Sequence, residues 1–410
     1  MITLIRPFKA LRPAPDKAAA VTAPPYDVLN TEEARTRAAG KPHSFLHISK
    51  PEIDLPVDTD PYAPAVYAKG AENLQKLINE GVLIREAAPA YYVYRLKMGD
   101  HTQTGLAVSA SVADYDTNRV RKHEYTRPDK EDDRVRQIEA LNAQTGPVLL
   151  AYKANAGVQA IIDAATKAAP LYDVTADTGV VHTIWAITDQ VWVDKLTALF
   201  NAMNALYIAD GHHRSAAASR VAAARRGKAK SESQEYFLAV AFPHDQMRIF
   251  DYNRVIRDLN GLSPEAFLER VKERFDVTLA SAQVRPDTST RFGMYMGGQW
   301  YRLDIKAKYI PSNDPVAALD VSLLQDNLIA PVLGITDPRR DKRIDFVGGI
   351  RGLGELEKRV DAGEMKVAFA LHPTTLEQLM AVADVNQVMP PKSTWFEPKL
   401  ADGLVSHVLD

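Results

Sequence analysis

The amino-acid sequence predicts a protein of the α/β class, with the α+β class as the alternative. Short apolar runs of strand length alternate with longer segments of helical periodicity, and this alternation continues along the chain. At 410 residues the chain exceeds the size of one ordinary core, so we expect two or three packed subdomains. Hydrophobic residues make up 46% and charged residues 25%, which are ordinary proportions for a globular protein.

The individual elements follow from periodicity, from capping residues, and from proline and glycine. Ser263 followed by Pro264 is a typical helix start, and Gly81 is a typical helix end. Residues 98–100 lie between two alternating segments and predict a hairpin turn. The predicted helices cover residues 63–80, 156–169, 190–201, 215–226, 263–275, 323–333, 354–362 and 374–382, and the predicted strands cover residues 91–97, 104–112, 148–152, 206–208, 237–242 and 367–371.

Three regions are predicted, with limits near residues 185 and 280. Residues 1–185 form an N-terminal α+β region that contains a charged segment at 123–134. Residues 186–280 form a core, and residues 281–410 form a C-terminal α+β region with a proline-stiffened loop at 390–396. The core is singled out because it holds the most distinctive polar cluster of the sequence.

Composition and charge argue against several classes of partner. The formal net charge of −2 gives no electrostatic reason to expect binding to nucleic acid or to a membrane surface. No apolar run approaches the roughly 20 residues of a membrane-spanning helix, and residues 1–7 do not resemble a secretory signal. The lack of cysteine excludes disulfides, thiol nucleophiles and cysteine-bound zinc. We therefore expect a cytoplasmic protein that binds small molecules, and the sequence leaves its oligomeric state open.

The distinctive polar cluster is Asp210-Gly211-His212-His213-Arg214, between an apolar strand and an alanine-rich helix. Gly211 permits a tight turn from strand to helix. The first helical amides lack intrahelical partners, and the positive end of the helix dipole favours an anion. The side chains of His212, His213 and Arg214 add donors, and a guanidinium suits bidentate contact with phosphate. We expect the residues from Gly211 to Arg214 to bind phosphate or nucleotide; a solvated turn with a few charges is the alternative.

Asp210 lies at the edge of this turn and has three candidate roles. It is predicted to orient a histidine, to bind Mg²⁺ or to act as a catalytic base, and His212 is predicted to take part in catalysis. Arg214, as a turn residue, is expected to contribute little to the core, so its replacement by alanine should leave the fold intact.

The ParB and sulfiredoxin superfamily has a signature that resembles residues 209–214 followed by the alanine-rich helix. The resemblance implies a ParB/sulfiredoxin-like core over residues 186–280, in which this turn binds nucleotide phosphate. The free-serine kinase branch has an Asp-Gly-His-(His or Thr)-Arg version, which Asp210 to Arg214 match. The sulfiredoxin branch needs a cysteine at the position of His212, and the ParB branch has Gly-Glu-Arg-Arg, so the sequence departs from both.

Segments along almost the whole chain resemble the uncharacterised bacterial and archaeal family labelled domain of unknown function ten-fifteen. The resemblance implies a tendency to be encoded near serine-biosynthesis enzymes in some genomes, which agrees with the serine-kinase analogy. The matching segments are residues 6–8, 24–28, 44–47, 123–126, 130–134, 207–214, 252–254, 320–326 and 389–396.

The charged segment offers cations and carboxylates close to a predicted helix start. Phosphoryl transfer needs cations on the phosphate oxygens, a carboxylate that holds the metal, and a group that orients the attacking hydroxyl. Glu124 is predicted to be a base or a magnesium ligand, and Lys130 and Arg134 are predicted to contact phosphate. A salt-bridged, exposed helix start is the alternative.

The loop at 390–396 combines two stiffening prolines with two anchoring aromatic residues. A loop held in this way presents Lys392, Ser393 and Thr394 to a phosphate at little entropic cost. A packing element near the C-terminus is the alternative.

Together these residues predict a nucleotide-dependent phosphotransferase, a small-molecule kinase that uses ATP or ADP with Mg²⁺. Catalysis is assigned to Asp210, Glu124 and His212, and magnesium binding to Asp210 and Glu124. The acceptor is a small hydroxylated metabolite, and the resemblance favours L-serine, which would give O-phosphoserine. A nucleotide-sensing protein without fast turnover and a hydrolase of phosphorylated metabolites are the alternatives.

Overall fold

The computed structural model describes residues 3–228 and 231–410, and it confirms the α/β class. The chain divides into two compact units. The first consists of residues Met1–Met247 and Pro398–Asp410, and the second of residues Arg248–Glu397. This division does not coincide with the limits predicted near residues 185 and 280.

The strands and α-helices alternate in both units. The strands are β1 (Ile5–Arg6), β2 (Ala10–Pro13), β3 (Leu83–Arg85), β4 (Tyr91–Met98), β5 (His101–Ser111), β6 (Val120–Arg121), β7 (Ala143–Gln144), β8 (Val148–Tyr152), β9 (Tyr172–Thr175), β10 (Val181–Ile187), β11 (Leu206–Asp210), β12 (Tyr236–Pro243), β13 (Ile249–Phe250), β14 (Tyr252–Ile256), β15 (Phe275–Ala280), β16 (Arg291–Met296), β17 (Gln299–Ile305), β18 (Ile344–Gly348), β19 (Val367–Leu371), β20 (Trp395–Phe396) and β21 (Ser406–Val408). The helices are α1 (Ala18–Val21), α2 (Thr31–Ala38), α3 (Leu46–Ser49), α4 (Pro64–Asn79), α5 (Val112–Asp116), α6 (Pro128–Leu141), α7 (Ala156–Ala165), α8 (Gln190–Asn201), α9 (His212–Arg225), α10 (Pro264–Lys272), α11 (Asp320–Leu324), α12 (Ala330–Leu333), α13 (Gly354–Asp361) and α14 (Leu376–Asp384).

A nine-stranded mixed sheet, counted over the described residues, organises the first unit. Its order is β6-β11-β8-β12-β5-β4-β10-β9, and β1 adds to β5. β12 pairs with β8 in parallel, whereas β11 pairs with β8 antiparallel. The sheet runs across the limit predicted near residue 185, because β10 pairs with β4 and the later strand β11 pairs with β8.

A second sheet of the first unit brings the C-terminal segment back to the early part of the chain. Its order is β3-β2-β21-β7. Leu404 and Val405, just before β21, are fully buried. Pro398–Asp410 therefore belongs to the first unit although 150 residues of the second unit precede it in the chain, as counted from Arg248 to Glu397.

The second unit is built on a sheet of order β15-β17-β16-β19-β14-β18. One face of this sheet is covered by α13, whose Leu356 packs with Val255, Trp300 and Ala368 in a buried apolar cluster. β13 pairs with β20, so the first and last residues of the unit lie side by side.

Helices α6 and α9 set the position of the site in the first unit. Ile138 of α6 packs with Ala217 and Val221 of α9 in a small buried cluster. α9 follows β11 directly, and α6 follows the charged segment. The packing of these two helices therefore brings together the two segments that the sequence singles out.

Within the described part of the chain, no helix has both the length and the apolar character needed to cross a membrane. Met1 and Ile2, which form part of the segment examined for a secretory signal, lie outside the described residues.

Candidate functional site

The turn between β11 and α9 differs in one respect from its prediction. The helix begins at His212 rather than at Ser215, so His212, His213 and Arg214 occupy its first turn. Gly211 precedes them with a φ of 100°, which a residue with a side chain rarely adopts. The first amides of α9 thus point away from the helix at the end of β11, and this geometry favours an anion.

A β-bulge or similar irregularity lies next to Asp210 in β11. The pairing of β11 with β8 shifts register between Ile208 and Asp210. Bulges of this kind are common beside functional sites, where they redirect a side chain. Asp210 then meets Lys399, whose Nζ lies 3.5 Å from its Oδ2.

The environment of Asp210 keeps its carboxylate ionised. Burial alone would raise its pKa, but Lys399, Arg214 and His212 together hold the pKa well below its usual value. An ionised carboxylate suits a metal or an ion pair. It is a poor general base, because a base works best with a pKa near the operating pH.

Arg214 is turned into the protein. Its side chain is only 10% exposed, and Nη2 lies 3.7 Å from Asp27 Oδ2 and 3.5 Å from Asp210 Oδ2. Nη1 donates a hydrogen bond to the carbonyl of Pro147. Burial would lower the pKa of the guanidinium, but Asp27 and Asp210 outweigh it and raise the pKa. The expectation that Arg214 contributes little to the core is therefore wrong, because its guanidinium is buried and both Nη1 and Nη2 are engaged inside the fold.

His212 is buried and makes its contacts with the charged segment. The backbone N–H of His123 donates to His212 Nε2 over 3.4 Å, and His212 Nδ1 lies 3.8 Å from Glu124 Oε2. Burial, reinforced by the neighbouring His123, holds the pKa of His212 well below its usual value. His212 is accordingly neutral at pH 7 and does not offer phosphate a positive charge.

His213 joins the start of α9 to the start of α6. Its Nε2 accepts a hydrogen bond of 3.0 Å from the backbone N–H of Arg127, the residue before α6. Burial is the main reason that its pKa is lowered. The N-termini of two helices therefore lie close together, and each contributes the positive end of a helix dipole.

His123 is a site residue that the sequence did not single out. It is 2% exposed, and its ring lies edge-on to that of His212 with 4.5 Å between the centroids. Burial lowers its pKa to about 4. Neither ring nitrogen makes a hydrogen bond of normal geometry among the residues that the structure describes, and a weaker contact with the backbone of Ile208 opposes the effect of burial on the pKa. In the sequence, only its position next to Glu124 indicated that His123 could belong to the site. The packing of α9 against this segment places it there.

Lys130 and Arg134, the predicted phosphate contacts of α6, have different surroundings. Lys130 Nζ donates to the hydroxyl of Tyr62 over 2.8 Å and lies near the protein surface. Arg134 is paired with Asp133 over 2.6 Å, and its guanidinium lies 3.9 Å from the ring centroid of Tyr26. Lys130 is thus the more accessible of the two cations.

Arg134 and Arg214 border a small cavity of about 30 Å³ together with Tyr26 and Asp402. A cavity of this size has room for one or two water molecules. Asp402 is 1% exposed, and burial raises its pKa to about 7, with Arg214 acting in the opposite direction. Neither Arg214 Nε nor Asp402 Oδ1 has a hydrogen-bond partner within the described part of the chain.

Lys392, Ser393 and Thr394 belong to the second unit. The Ser393 hydroxyl donates to the carbonyl of Pro390 over 2.6 Å, and Ser393 is buried. Its hydroxyl is therefore used within the loop, and the predicted phosphate contacts of this segment stay a prediction.

The fold and the site define an α/β protein with an anion-favouring helix start beside two histidines and a carboxylate. A family model described as protein of unknown function (DUF1015) matches residues 5–322, and the chain belongs to that family. No curated protein matches the chain.

Distant likenesses occur among solved structures. A free serine kinase mutant in complex with AMP is 14% identical, with a TM-score of 0.38 over 73% of this chain and 92% of that chain. SbnI with a C-terminal truncation, from Staphylococcus aureus, is 11% identical, with a TM-score of 0.38 over 73% of this chain and 86% of that chain. A conserved hypothetical protein from Pyrococcus furiosus is 14% identical, with a TM-score of 0.36 over 73% of this chain and 94% of that chain. These likenesses are too distant to assign a function.

Proposed function

We propose that the protein is a nucleotide-dependent phosphotransferase that acts on a small hydroxylated metabolite. The observation that carries the proposal is the meeting of two segments 89 residues apart in the chain. Glu124 Oε2 lies 3.8 Å from His212 Nδ1, in the first turn of α9. The site thus combines a helix start that favours phosphate with two carboxylates, Glu124 and Asp210.

The surroundings of the two carboxylates suit them to different roles. Asp210 is held ionised by Lys399 and Arg214, so it suits a metal ligand better than a base. Glu124 has a side chain 54% exposed and can reach an acceptor hydroxyl from solvent, so we assign the base to it. Carboxylate oxygens are ligands that Mg²⁺ prefers, and a bound Mg²⁺ would neutralise charge on the phosphates of ATP or ADP.

We assign phosphate binding mainly to backbone amides and less to side chains. Gly211 allows the sharp turn into α9, whose first amides lack intrahelical partners, and His213 belongs to the same helical turn. Lys130, which is partly exposed, is a cation at the neighbouring helix start. Arg214 and Arg134 are paired inside the protein, so they hold the turn in place instead of gripping phosphate.

We take L-serine as the favoured acceptor. This choice rests on the resemblance of Asp210 to Arg214 to the free-serine kinase motif. Serine provides a primary hydroxyl, which a carboxylate base can deprotonate as the phosphoryl group is transferred.

The direct test is incubation of the purified protein with Mg²⁺, ATP or ADP, and L-serine, followed by detection of O-phosphoserine by mass spectrometry. We expect product with one of the nucleotides. Phosphate release from O-phosphoserine without nucleotide would indicate the hydrolase instead. A nucleotide-dependent rise in melting temperature without product would indicate the sensing protein.

Glu124→Gln tests the assignment of the base. The variant should lose about 100-fold or more in turnover, since general-base catalysis typically contributes 10²–10⁴-fold. Glu139→Gln is the matched control, because Glu139 is an exposed carboxylate on α6. Absence of product and of any nucleotide-dependent stabilisation in the parent protein would contradict the proposal as a whole.

A further inference from the structure

His123, His212 and Glu124 form a compact group of potential metal ligands. One ligand atom from each residue can be chosen so that all three lie within 4.8 Å of one another. His123 and His212 are buried, whereas the Glu124 side chain is 54% exposed. The group therefore has two ligands fixed in the protein interior and one ligand at the surface.

His123 provides an independent reason to expect a ligand here. A buried polar group normally has a hydrogen-bond partner, because leaving it without one costs about 1–3 kcal/mol. Both ring nitrogens of His123 are buried, and neither makes a hydrogen bond of normal geometry among the described residues. The backbone of Ile208 makes a weaker contact that opposes the fall in the His123 pKa. The ring lies edge-on to that of His212, and one of its nitrogens lies within 4.8 Å of ligand atoms of His212 and Glu124.

We propose that His123, His212 and Glu124 bind a divalent transition-metal ion such as Zn²⁺. Imidazole nitrogens favour Zn²⁺ and its neighbours over Mg²⁺, which prefers oxygen ligands. The site is distinct in its ligands from the magnesium site of the proposed function, and its existence does not depend on that function.

The three ligand atoms need to move only slightly closer to one another to hold an ion. Ligands about 2.1 Å from a tetrahedral zinc ion lie roughly 3.4 Å from one another. His212 Nδ1 and Glu124 Oε2 are already 3.8 Å apart, and the Glu124 side chain is 54% exposed. Coordination through His212 Nδ1 places its proton on Nε2 and releases the long 3.4 Å contact with the amide of His123.

The chemistry of this ligand set leaves a coordination position open. Two neutral imidazoles and one carboxylate supply three ligands and one negative charge, so a divalent ion keeps a net positive charge. Catalytic zinc sites have three protein ligands and a water or substrate in the fourth position, whereas structural sites have four. With an ion bound, Glu124 is a ligand and is not available as a base at the same time.

The test is titration of the metal-free full-length protein with Zn²⁺, by calorimetry and without nucleotide. We expect one ion per chain and no competition from millimolar Mg²⁺. His123→Gln, His212→Gln and Glu124→Gln should each weaken Zn²⁺ binding by more than about 100-fold, beyond the 10- to 100-fold typical of outer-shell partners. Co²⁺ provides a second readout, because its visible absorption reports directly on nitrogen and oxygen ligands.

His213→Gln is the matched control, because His213 is the adjacent histidine of α9 and does not belong to the group. It should bind Zn²⁺ as the parent protein does. Circular dichroism checks that the buried variants fold, and Glu124→Gln covers the case in which they do not, because its side chain is half-exposed. Zn²⁺ binding that is absent in the parent protein, or unchanged in Glu124→Gln, would overturn the proposal. Neither result would bear on the formation of O-phosphoserine.

Discussion

At the scale of single residues, Arg214 shows that a side chain predicted to bind phosphate can instead stabilise the fold. It reaches the carbonyl of Pro147 and two carboxylates, Asp27 and Asp210, from within the protein. A sequence pattern cannot reveal this, because Asp27 and Pro147 are distant in the chain. What the pattern predicts correctly is that the turn carries a charged cluster.

Replacing Arg214 by alanine should therefore destabilise the first unit. We expect a loss of about 2–3 kcal/mol, less than the 3–5 kcal/mol of a fully buried ion pair because both carboxylates are partly exposed. Urea titration, fitted with two transitions if the units unfold separately, measures the loss. Arg340→Ala is the control, since the Arg340 side chain is 88% exposed, and it should change stability by less than about 0.5 kcal/mol.

Asp402 predicts a pH dependence of stability. Its pKa is raised to about 7 in the folded protein, against 3.8 for the unfolded chain. The folded state thus binds the proton more tightly, so the contribution of Asp402 is complete below pH 4 and is lost as the pH rises to about 7. The free energy of unfolding therefore differs by a few kcal/mol between low and neutral pH, on the order of 1.4 kcal/mol for each unit of the pKa change.

Asp402→Asn removes this titration and nearly preserves the shape of the side chain. Relative to the parent protein, the variant should become steadily more stable between pH 4 and pH 7, and the difference should be constant above that range. Urea titrations at several pH values measure it. Parallel pH profiles for the two proteins would show that Asp402 titrates normally.

At the scale of elements, the turn at Gly211 predicts a strict requirement for glycine. A Cβ at this position would lie 3.1 Å from Arg214 Nε, and φ is 100°. Gly211→Ala should cost about 1–3 kcal/mol in stability, as is typical of a residue held in a sparsely populated backbone region. It should also weaken nucleotide-dependent stabilisation, which a thermal shift assay detects.

Gly354→Ala is the matched control for the glycine prediction. Its added Cβ would have nothing within 4 Å, and Gly354 begins α13 without a positive φ. This variant should be neutral or slightly stabilising, by up to about 1 kcal/mol. Equal destabilisation by both substitutions would argue against a special backbone at Gly211.

Strongly periodic elements were predictable, and elements shaped by backbone detail were not. The predicted helix at 190–201 and strand at 148–152 agree with α8 and β8 residue for residue. The helix predicted over 323–333 is instead interrupted by a π-helical turn at Gln325–Ile329. Pro331 explains this difference, because it lacks an amide hydrogen and its ring clashes with the carbonyl four residues earlier in a regular helix.

One missed element left a signal in the sequence. β16 and β17 form a hairpin around Gly297 and Gly298, both with positive φ. Two glycines between alternating runs are a typical hairpin signal. By contrast, α9 starts at His212 instead of Ser215 because Gly211, rather than the serine, occupies the cap position.

At the scale of the whole molecule, the second unit is an insertion into the first. Pairing of β13 with β20 holds the ends of the insertion next to each other. Deleting residues 248–397 and joining 247 to 398 with a short flexible linker should therefore leave the first unit folded. Circular dichroism and a cooperative thermal transition check this outcome.

A deletion of residues 398–410 is the contrasting variant. It removes β21, together with the buried residues Leu404 and Val405 and the carboxylate of Asp402. We expect the first unit to lose its cooperative transition in this case. If the first deletion also abolishes folding, the first unit depends on the second for its stability.

The site as a whole could not be assembled from the sequence, because its members come from distant parts of the chain. Glu124, Asp210 and the histidines of the turn were identified from local patterns. Lys399 and Asp402 were not, because each stands in an unremarkable local sequence and gains its role only from packing. The N-terminal and C-terminal parts of the first unit thus supply the charges that balance the turn.

The late position of Lys399 and Asp402 has a consequence for protein synthesis. The ribosome makes the turn at residues 210–214 well before it makes these two residues, with the whole of the second unit in between. A nascent chain that has emerged only as far as residue 397 carries the turn without its lysine counter-ion and without β21. This pocket can therefore be completed only after the whole of the second unit has been synthesised.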